Sequence, residues 1–377
     1  MKITFPHFGD AHLIARLFFQ EIGVELIRPP VNSRRGLEIG SQNSPDEICL
    51  PFKLMLNNLM EAHEMGADTV IMVSTMGPCR LGEYGELLKS VLDKKGYHFE
   101  WILLDTVSAV GKKEIIRRLS QVVQDSNKSN LYILQSLKGM YRIICELEKL
   151  EKRAYMTCGY ELNKGDCKKI LTACKKELNN ASSLQEALAI IDSKDYELKR
   201  IPVNKDKEPL KLLLTGEIYS LTEPFASHNI ENLLMDMGVC FEKKITIGWW
   251  IRNTLLNPLQ LRNIRERGNH YLPYSIGGYA KETVRDVVNS KAESFDGVIQ
   301  IFPVGCMPEI VAKSVLSQIT EELDIKVLTV IFDEMGGEAG YITRVEAFVD
   351  MLLRRKRLLK ANTKRAYGGS RNVLHGN

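Results

Sequence analysis

The sequence predicts an α/β protein: two flavodoxin- or Rossmann-like domains with mainly parallel sheets, flanking a helical middle segment. Three observations lead there. Short apolar runs rich in β-branched residues alternate with amphipathic segments as far as Leu104, that alternation gives way to helical periodicity from Lys112 to about Asp192, and it resumes at Leu210. A chain of 377 residues is also longer than a single core usually grows. The expected divisions are an N-terminal α/β domain over 1–110, a helical connector or subdomain over 111–205 and a C-terminal α/β domain over 206–377.

In the first part the pattern predicts strands over residues 2–5, 24–27, 68–74 and 99–104, and helices near 11–22, 50–65 and 83–95. The run "TVIMV" is apolar and β-branched without alternation, which suits a strand buried on both faces of a parallel sheet. The middle contains "GKKEIIRRLSQVV", "NLYILQSLKGMYRIICELEKLEKRAY", "CKKILTACKKEL" and "SLQEALAIID", all with helical spacing. It is too long for a loop and reads as a connector, lid or subdomain. "IPVNKDKEP" reads as a linker. The last part predicts strands over 210–214, 239–245, 297–302 and 326–332, and helices near 223–237, 281–289, 308–323 and 340–360. Right-handed crossovers make both sheets predominantly parallel, with ligand crevices outside the carboxyl ends of the strands.

Lys and Arg number 51 against 47 Asp and Glu, a formal net charge of +4, so the chain is not a globally basic nucleic-acid binder. Its basic excess lies in "LLRRKRLLKANTKRAYGG", which reads as a solvated helix end. Met1 to Pro6 enters strand pattern directly and no apolar run approaches membrane-spanning length, so a cytoplasmic protein is expected, without membrane or nucleic-acid partners. Eight cysteines in such a chain do not read as a secreted disulfide framework. They are buried hydrophobes, metal ligands or reactive thiols.

Three of them share a setting. Cys49 lies in "SQNSPDEICLPFK", Cys79 in "STMGPCRLGEYG" and Cys306 in "GVIQIFPVGCMPEIVAKSVL", each at a helix start and each fenced by Gly or Pro. Gly77 and Pro78 are expected to shape the turn before Cys79. Unsatisfied N–H groups and the helix dipole at such a terminus favour negative charge, so these thiols are expected to have lowered pKa values, and thiolate is the metal-binding form. A buried hydrophobe explains any one of them, whereas three in one context favour a shared site. The chain has no Cys-x-x-Cys pair, which argues against a zinc ribbon. Iron–sulfur clusters tolerate dispersed thiolates, and three ligands would leave one iron of a cubane open. Cys158 and Cys167, in "YMTCGYELNKGDCKK", are further candidate ligands, while Cys145, Cys174 and Cys240 read as core.

The remaining signals are sparser. Neither GxxxxGK[ST] nor GxGxxG occurs. "DEMGGEAGYITRVEAF" could cradle an anion at a helix start, with Arg344 binding a carboxylate or phosphate or pairing with Glu338 or Glu346. His7 and Asp10 follow the first strand, and Glu217 and Tyr219 occupy the equivalent place after the first strand of the second half. His7, Arg80, Tyr84 and Glu217 are the candidate catalytic or site-lining side chains.

"KITFPHFGD", "NSPDEICLPFK", "GPCRLGEYGE", "GEIYS", "FPVGCMPEI" and "DEMGGEAGYITRVEAFVDML" together resemble the cluster-binding proteins related to the 2-hydroxyacyl-CoA dehydratase subunits, more narrowly the acyl-CoA dehydratase activase-related branch, with double-cubane cluster proteins as more distant relatives. The resemblance runs from the first strand to the last helix. It implies flavodoxin-like domains holding a cluster between them, most simply 4Fe–4S, with Cys49, Cys79 and Cys306 at the ligand positions. The additional cysteines raise a double-cubane 8Fe–9S cluster as the alternative. It also implies a separate ATP-hydrolysing iron–sulfur activator of actin-like fold, which delivers a low-potential electron that reaches a substrate thioester and allows loss of water through a ketyl radical. A homodimer or a related second subunit is the family habit.

The functional expectation is an oxygen-sensitive iron–sulfur protein that accepts low-potential electrons from an ATP-dependent partner and reduces or dehydrates a small substrate, such as a CoA thioester. The alternative is a non-catalytic cluster carrier or scaffold for a dehydratase and activator system. A metal-free α/β binding module is the third reading.

Overall fold

The computed structural model describes residues 1–73, 79–104, 110–257, 266, 268–334 and 336–369. Ser74, the Gly77 and Pro78 turn, and Met335 lie outside the described residues. Within them the chain is α/β, with two four-stranded sheets whose pairings are all parallel. The first sheet is formed by β1 (Lys2–Thr4), β2 (Glu25–Leu26), β3 (Thr69–Val73) and β4 (Glu100–Leu104), in the order β2-β1-β3-β4. The second is formed by β5 (Lys211–Gly216), β6 (Cys240–Lys243), β7 (Gly297–Pro303) and β8 (Val327–Phe332), in the order β6-β5-β7-β8.

The two sheets therefore repeat one topology. Ile3 opposes Thr69 and Val70 opposes Trp101 in the first; Leu213 opposes Val298 and Ile299 opposes Leu328 in the second. In this order the chain winds one way from the first strand and the other way from the third. The crevice where ligands bind in such sheets opens between those two strand ends. The residues following β1 and β3, and those following β5 and β7, are placed there by topology alone.

Helices α1 (Ala11–Ile22), α2 (Arg34–Asn43), α3 (Leu50–Glu64) and α4 (Tyr84–Lys94) belong to the first half, α1 packing beside β2 and both α2 and α4 against α3. The sequence pattern did not indicate α2, because "RRGLEIGSQN" carries few apolar residues. Ser33 caps it by accepting from the Gly36 N–H at 3.0 Å. Its inner face carries Gly40, where an added Cβ would lie 2.0 Å from the Lys53 carbonyl oxygen. Absence of a side chain lets α2 lie directly on α3, which is buried along most of its length.

The middle segment folds as α5 (Lys112–Val122), α6 (Asn130–Thr157), α7 (Asp166–Asn180) and α8 (Leu184–Lys199). It shares one hydrophobic core with both sheets: Ile143, Leu147, Leu150 and Leu171 pack in the same cluster as Leu17 and Leu56 before it and Leu214 and Ile299 after it. Tyr155 stacks on Phe241 with ring centroids 4.3 Å apart. Arg16 reaches from α1 to the Leu178 and Ala181 carbonyls at 3.2 and 2.7 Å, which satisfies the carboxyl end of α7. The helices are a packed wedge of the core.

The helix expected over 223–237 is replaced by α9 (Ile218–Thr222) and α10 (Ile230–Asp236). Pro224 and the positive φ of His228 (46°) and Asn229 (52°) interrupt the helical path between them. Beyond α11 (Ile247–Trp250) and a π-helical turn (Ile251–Leu256), α12 (Ala280–Ser290), α13 (Met307–Leu323) and α14 (Glu338–Gly369) complete the second half. Among the described residues no helix is long and apolar enough to cross a membrane.

Because α2 touches α3 through Gly40, Gly40→Val should overpack that contact and lower stability by about 1–3 kcal/mol. Urea unfolding of the variant beside wild type measures it, and an unchanged midpoint would show the helices able to part without cost.

Candidate functional site

The three cysteines singled out by their helix-start context meet in one pocket. Its lining includes Cys49, Cys79, Cys306, Arg80, Tyr84 and Glu217. Cys49 is the N-cap of α3, Cys306 is the N-cap of α13, and Cys79 precedes the 3-10 turn Arg80–Glu83 that leads into α4. Pro51 and Pro308 sit in the first turns of α3 and α13, where a missing N–H costs nothing. Cys79 follows β3 and Cys306 follows β7, so the repeated topology delivers equivalent loops of the two sheets to one place.

Cys49 has the most elaborate surroundings. Arg80 Nη2 donates to its sulfur at 3.2 Å, and the Tyr84 hydroxyl also hydrogen-bonds it. As a donor its thiol reaches the Gly305 carbonyl, at 3.8 Å. Tyr84 is itself buried and packs edge-on against Phe52, so its hydroxyl is held in place. Burial, the neighbouring Cys49 and Glu217 raise the Tyr84 pKa well above the ordinary phenol value, which keeps it a donor.

The expectation that helix starts lower these thiol pKa values fails for Cys79 and Cys306. Desolvation pushes Cys79 up to about 11 and pushes Cys306 up as well, with the Glu217 carboxyl adding to both. The N–H groups of Leu81 and Glu309, which donate to these sulfurs, pull the other way and are outweighed. Burial in an apolar pocket exceeds the pull of one helix terminus.

Glu217 lines the pocket, yet its carboxylate is engaged as the cap of α9. It accepts from the N–H groups of Tyr219 and Ser220 at 2.8 and 2.9 Å and from the Ser220 hydroxyl at 2.9 Å. Burial raises its pKa, and those donors oppose the rise. Glu309, on α13, is a carboxyl the sequence did not flag. It is 1 % exposed and bonded by Thr283 and Gln300, and desolvation raises its pKa to about 8. Only the buried strand β7, which carries Gln300 toward α13, makes a Glu at that helical position unusual.

Other candidates fall elsewhere. His7 is buried away from the pocket, with Nδ1 2.7 Å from Glu223 Oε2, and among the described residues Nε2 has no hydrogen-bond partner. Glu223 also accepts from the Gly9 N–H at 2.9 Å; burial would raise its pKa, but His7 and Gly9 bring it below the usual value. Asn58 and Asn32 extend this network to the Tyr219 hydroxyl, so residues following β1 and β5 are cross-linked by polar contacts. Asp10 pairs with Lys175 at 2.7 Å. Arg344 donates to the Thr329 carbonyl at 2.8 Å rather than to Glu338 or Glu346.

Cys158 and Cys167 do not line the three-cysteine pocket. Both are buried in the shared core, where Cys158 donates to the Tyr155 and Val239 carbonyls at 3.2 Å and lies beside Cys240. Cys174 is buried in the same core. Among the described residues no three His, Cys, Asp or Glu side chains converge closely enough for a single metal ion. A mononuclear site needs every donor within about 2.3 Å of one point, whereas a cluster spreads its thiolates over several metal atoms. The pocket's sulfur set is Cys49, Cys79 and Cys306, lined also by Pro51, Leu81 and Pro308 and by the charged or ionisable groups of Arg80, Glu217 and Glu309.

No protein-family model and no curated protein matches this chain.

Two outcomes follow from this geometry. In metal-free protein, alkylation of Cys79 should climb about tenfold per pH unit through neutral and mildly alkaline conditions without levelling, since its pKa of about 11 lies above the usual thiol value near 8.5. A plateau at or below the usual value, followed by peptide mass spectrometry, would show the desolvation to be weaker than the pocket implies. His7→Ala should destabilise the fold by about 1–3 kcal/mol by removing one of the donors to the buried Glu223 carboxylate. Chemical denaturation tests it, and full stability would mean water replaces the imidazole.

Proposed function

We propose that this chain is an iron–sulfur protein whose cluster is held by Cys49, Cys79 and Cys306. The observation that carries the reading is the convergence of the three cysteines, each from a different strand-to-helix or helix-start loop, in one apolar pocket between the sheets. A 4Fe–4S cluster bound by three thiolates supplies low-potential electron transfer and an iron open to substrate. No fourth cysteine lines the pocket, which favours an open iron over the carrier alternative. It also favours a single cubane over a double-cubane cluster, because Cys158 and Cys167 lie in the core.

The chain's own residues would then have distinct tasks. Cys49, Cys79 and Cys306 hold the group; Tyr84 keeps a hydroxyl donor on the Cys49 sulfur; and Glu217 organises the loop after β5 while closing one wall. Apolar side chains of Pro51, Leu81, Met307 and Pro308 limit water at the site. Electrons would come from a separate ATP-hydrolysing iron–sulfur activator. The resemblance to 2-hydroxyacyl-CoA dehydratase-related proteins makes reduction or dehydration of a small acyl thioester the reaction to assay first.

Anaerobic reconstitution tests the reading. Wild type should take up about four iron and four sulfide per chain, with visible charge-transfer absorbance and an EPR signal after dithionite reduction. Cys49→Ser, Cys79→Ser and Cys306→Ser should each lose most of that content, while Cys158→Ser and Cys167→Ser retain it. Colourless wild-type protein, or equal loss from the core variants, would overturn the assignment.

A further inference from the structure

Arg80 directly follows Cys79, and its guanidinium does not point to solvent alone. Nη1 donates to the Glu47 carbonyl at 2.8 Å, while Nη2 donates to the Gly305 carbonyl at 2.6 Å and to Cys49 Sγ at 3.2 Å. Glu47 and Gly305 lie beside Cys49 and Cys306 in the sequence. One planar fork therefore touches the loops of all three cysteines, two from the first half of the chain and one from the second. Among the described residues no carboxylate pairs with Arg80, so its charge is not cancelled by an ion pair.

The partner loop is built to admit it. Gly305 has φ +75°, in the left-handed region, and an added Cβ would lie 3.2 Å from Arg80 Nη2. A side chain there would strain the backbone and crowd the guanidinium at once. The approach of Arg80 to the Gly305 carbonyl depends on that residue type.

We propose that Arg80 is a positioning residue of the cysteine site: it clasps the Cys49 and Cys306 loops across the two halves of the chain and lends its positive charge to the Cys49 sulfur. The proposal rests on the iron–sulfur reading for its electrostatic part and on geometry alone for the clasp. A fixed positive charge beside a ligating sulfur favours the reduced, more negative state of whatever group the sulfur holds. Lysine can keep the charge but cannot reproduce a fork that reaches two carbonyls and a sulfur.

Two measurements on Arg80→Gln and Arg80→Lys decide it. In metal-free protein, hydrogen exchange followed by mass spectrometry should be faster than wild type in peptides covering 44–50 and 303–310 for both variants. In reconstituted protein, spectroelectrochemical titration should show a midpoint potential lower than wild type for Arg80→Gln and near wild type for Arg80→Lys. Unchanged exchange in both loops overturns the clasp, and a potential unmoved or raised in Arg80→Gln overturns the charge role. Wild-type protein that binds no iron would remove the cluster reading and the charge role with it, while the exchange comparison would still decide the clasp.

Discussion

Parallel strand pairing is the constraint on which the rest of this structure depends. When every strand of a four-stranded sheet runs the same way, every strand-to-helix loop emerges on one edge. The strand order repeated in both sheets then opens a crevice between the first and third strands. Here two such edges face each other. Cys79 and Cys306 occupy equivalent loops after the third strands, and the polar residues His7 and Glu217 occupy equivalent loops after the first.

The interface between the halves has two characters. Around the cysteines it is apolar, and burial there raises the Cys79 and Cys306 pKa values against the pull of the helix termini. Around the loops after the first strands it is polar and self-satisfied: Glu223 binds His7 and Gly9, and Asn32 and Asn58 carry the network to Tyr219. Buried hydrogen-bonded networks of this kind fix a relative orientation more than they add stability. Beside the pocket the halves are joined by Glu223 with His7 and Gly9 and by Asn32 with the Tyr219 hydroxyl, while Lys175 of the helical middle pairs with Asp10 of the first half.

The helical middle contributes to the same end. Its helices α6 and α7 pack into the core shared with both sheets rather than forming a linker between them. Cys158 of this segment then has a packing role in hand, as a small buried side chain hydrogen-bonded to the Tyr155 and Val239 carbonyls, and Cys167 and Cys174 are buried in the same core.

The sequence by itself determined the α/β class, the parallel strands and the helix-start setting of Cys49, Cys79 and Cys306, because β-branched runs, helical periodicity and Gly/Pro fences are local signals. It missed α2, whose few apolar residues hide a helix seated through Gly40, and it extended one helix across Pro224 and the left-handed pair His228 and Asn229. Only the tertiary structure decided which candidates share a site. Cys158 and Cys167 carry the same local marks as ligands yet lie in the core, and His7 turns to Glu223 rather than to the pocket. The thiol pKa directions were likewise undecidable locally: a helix terminus is visible in sequence, but the desolvation that outweighs it depends on walls supplied by residues hundreds of positions away.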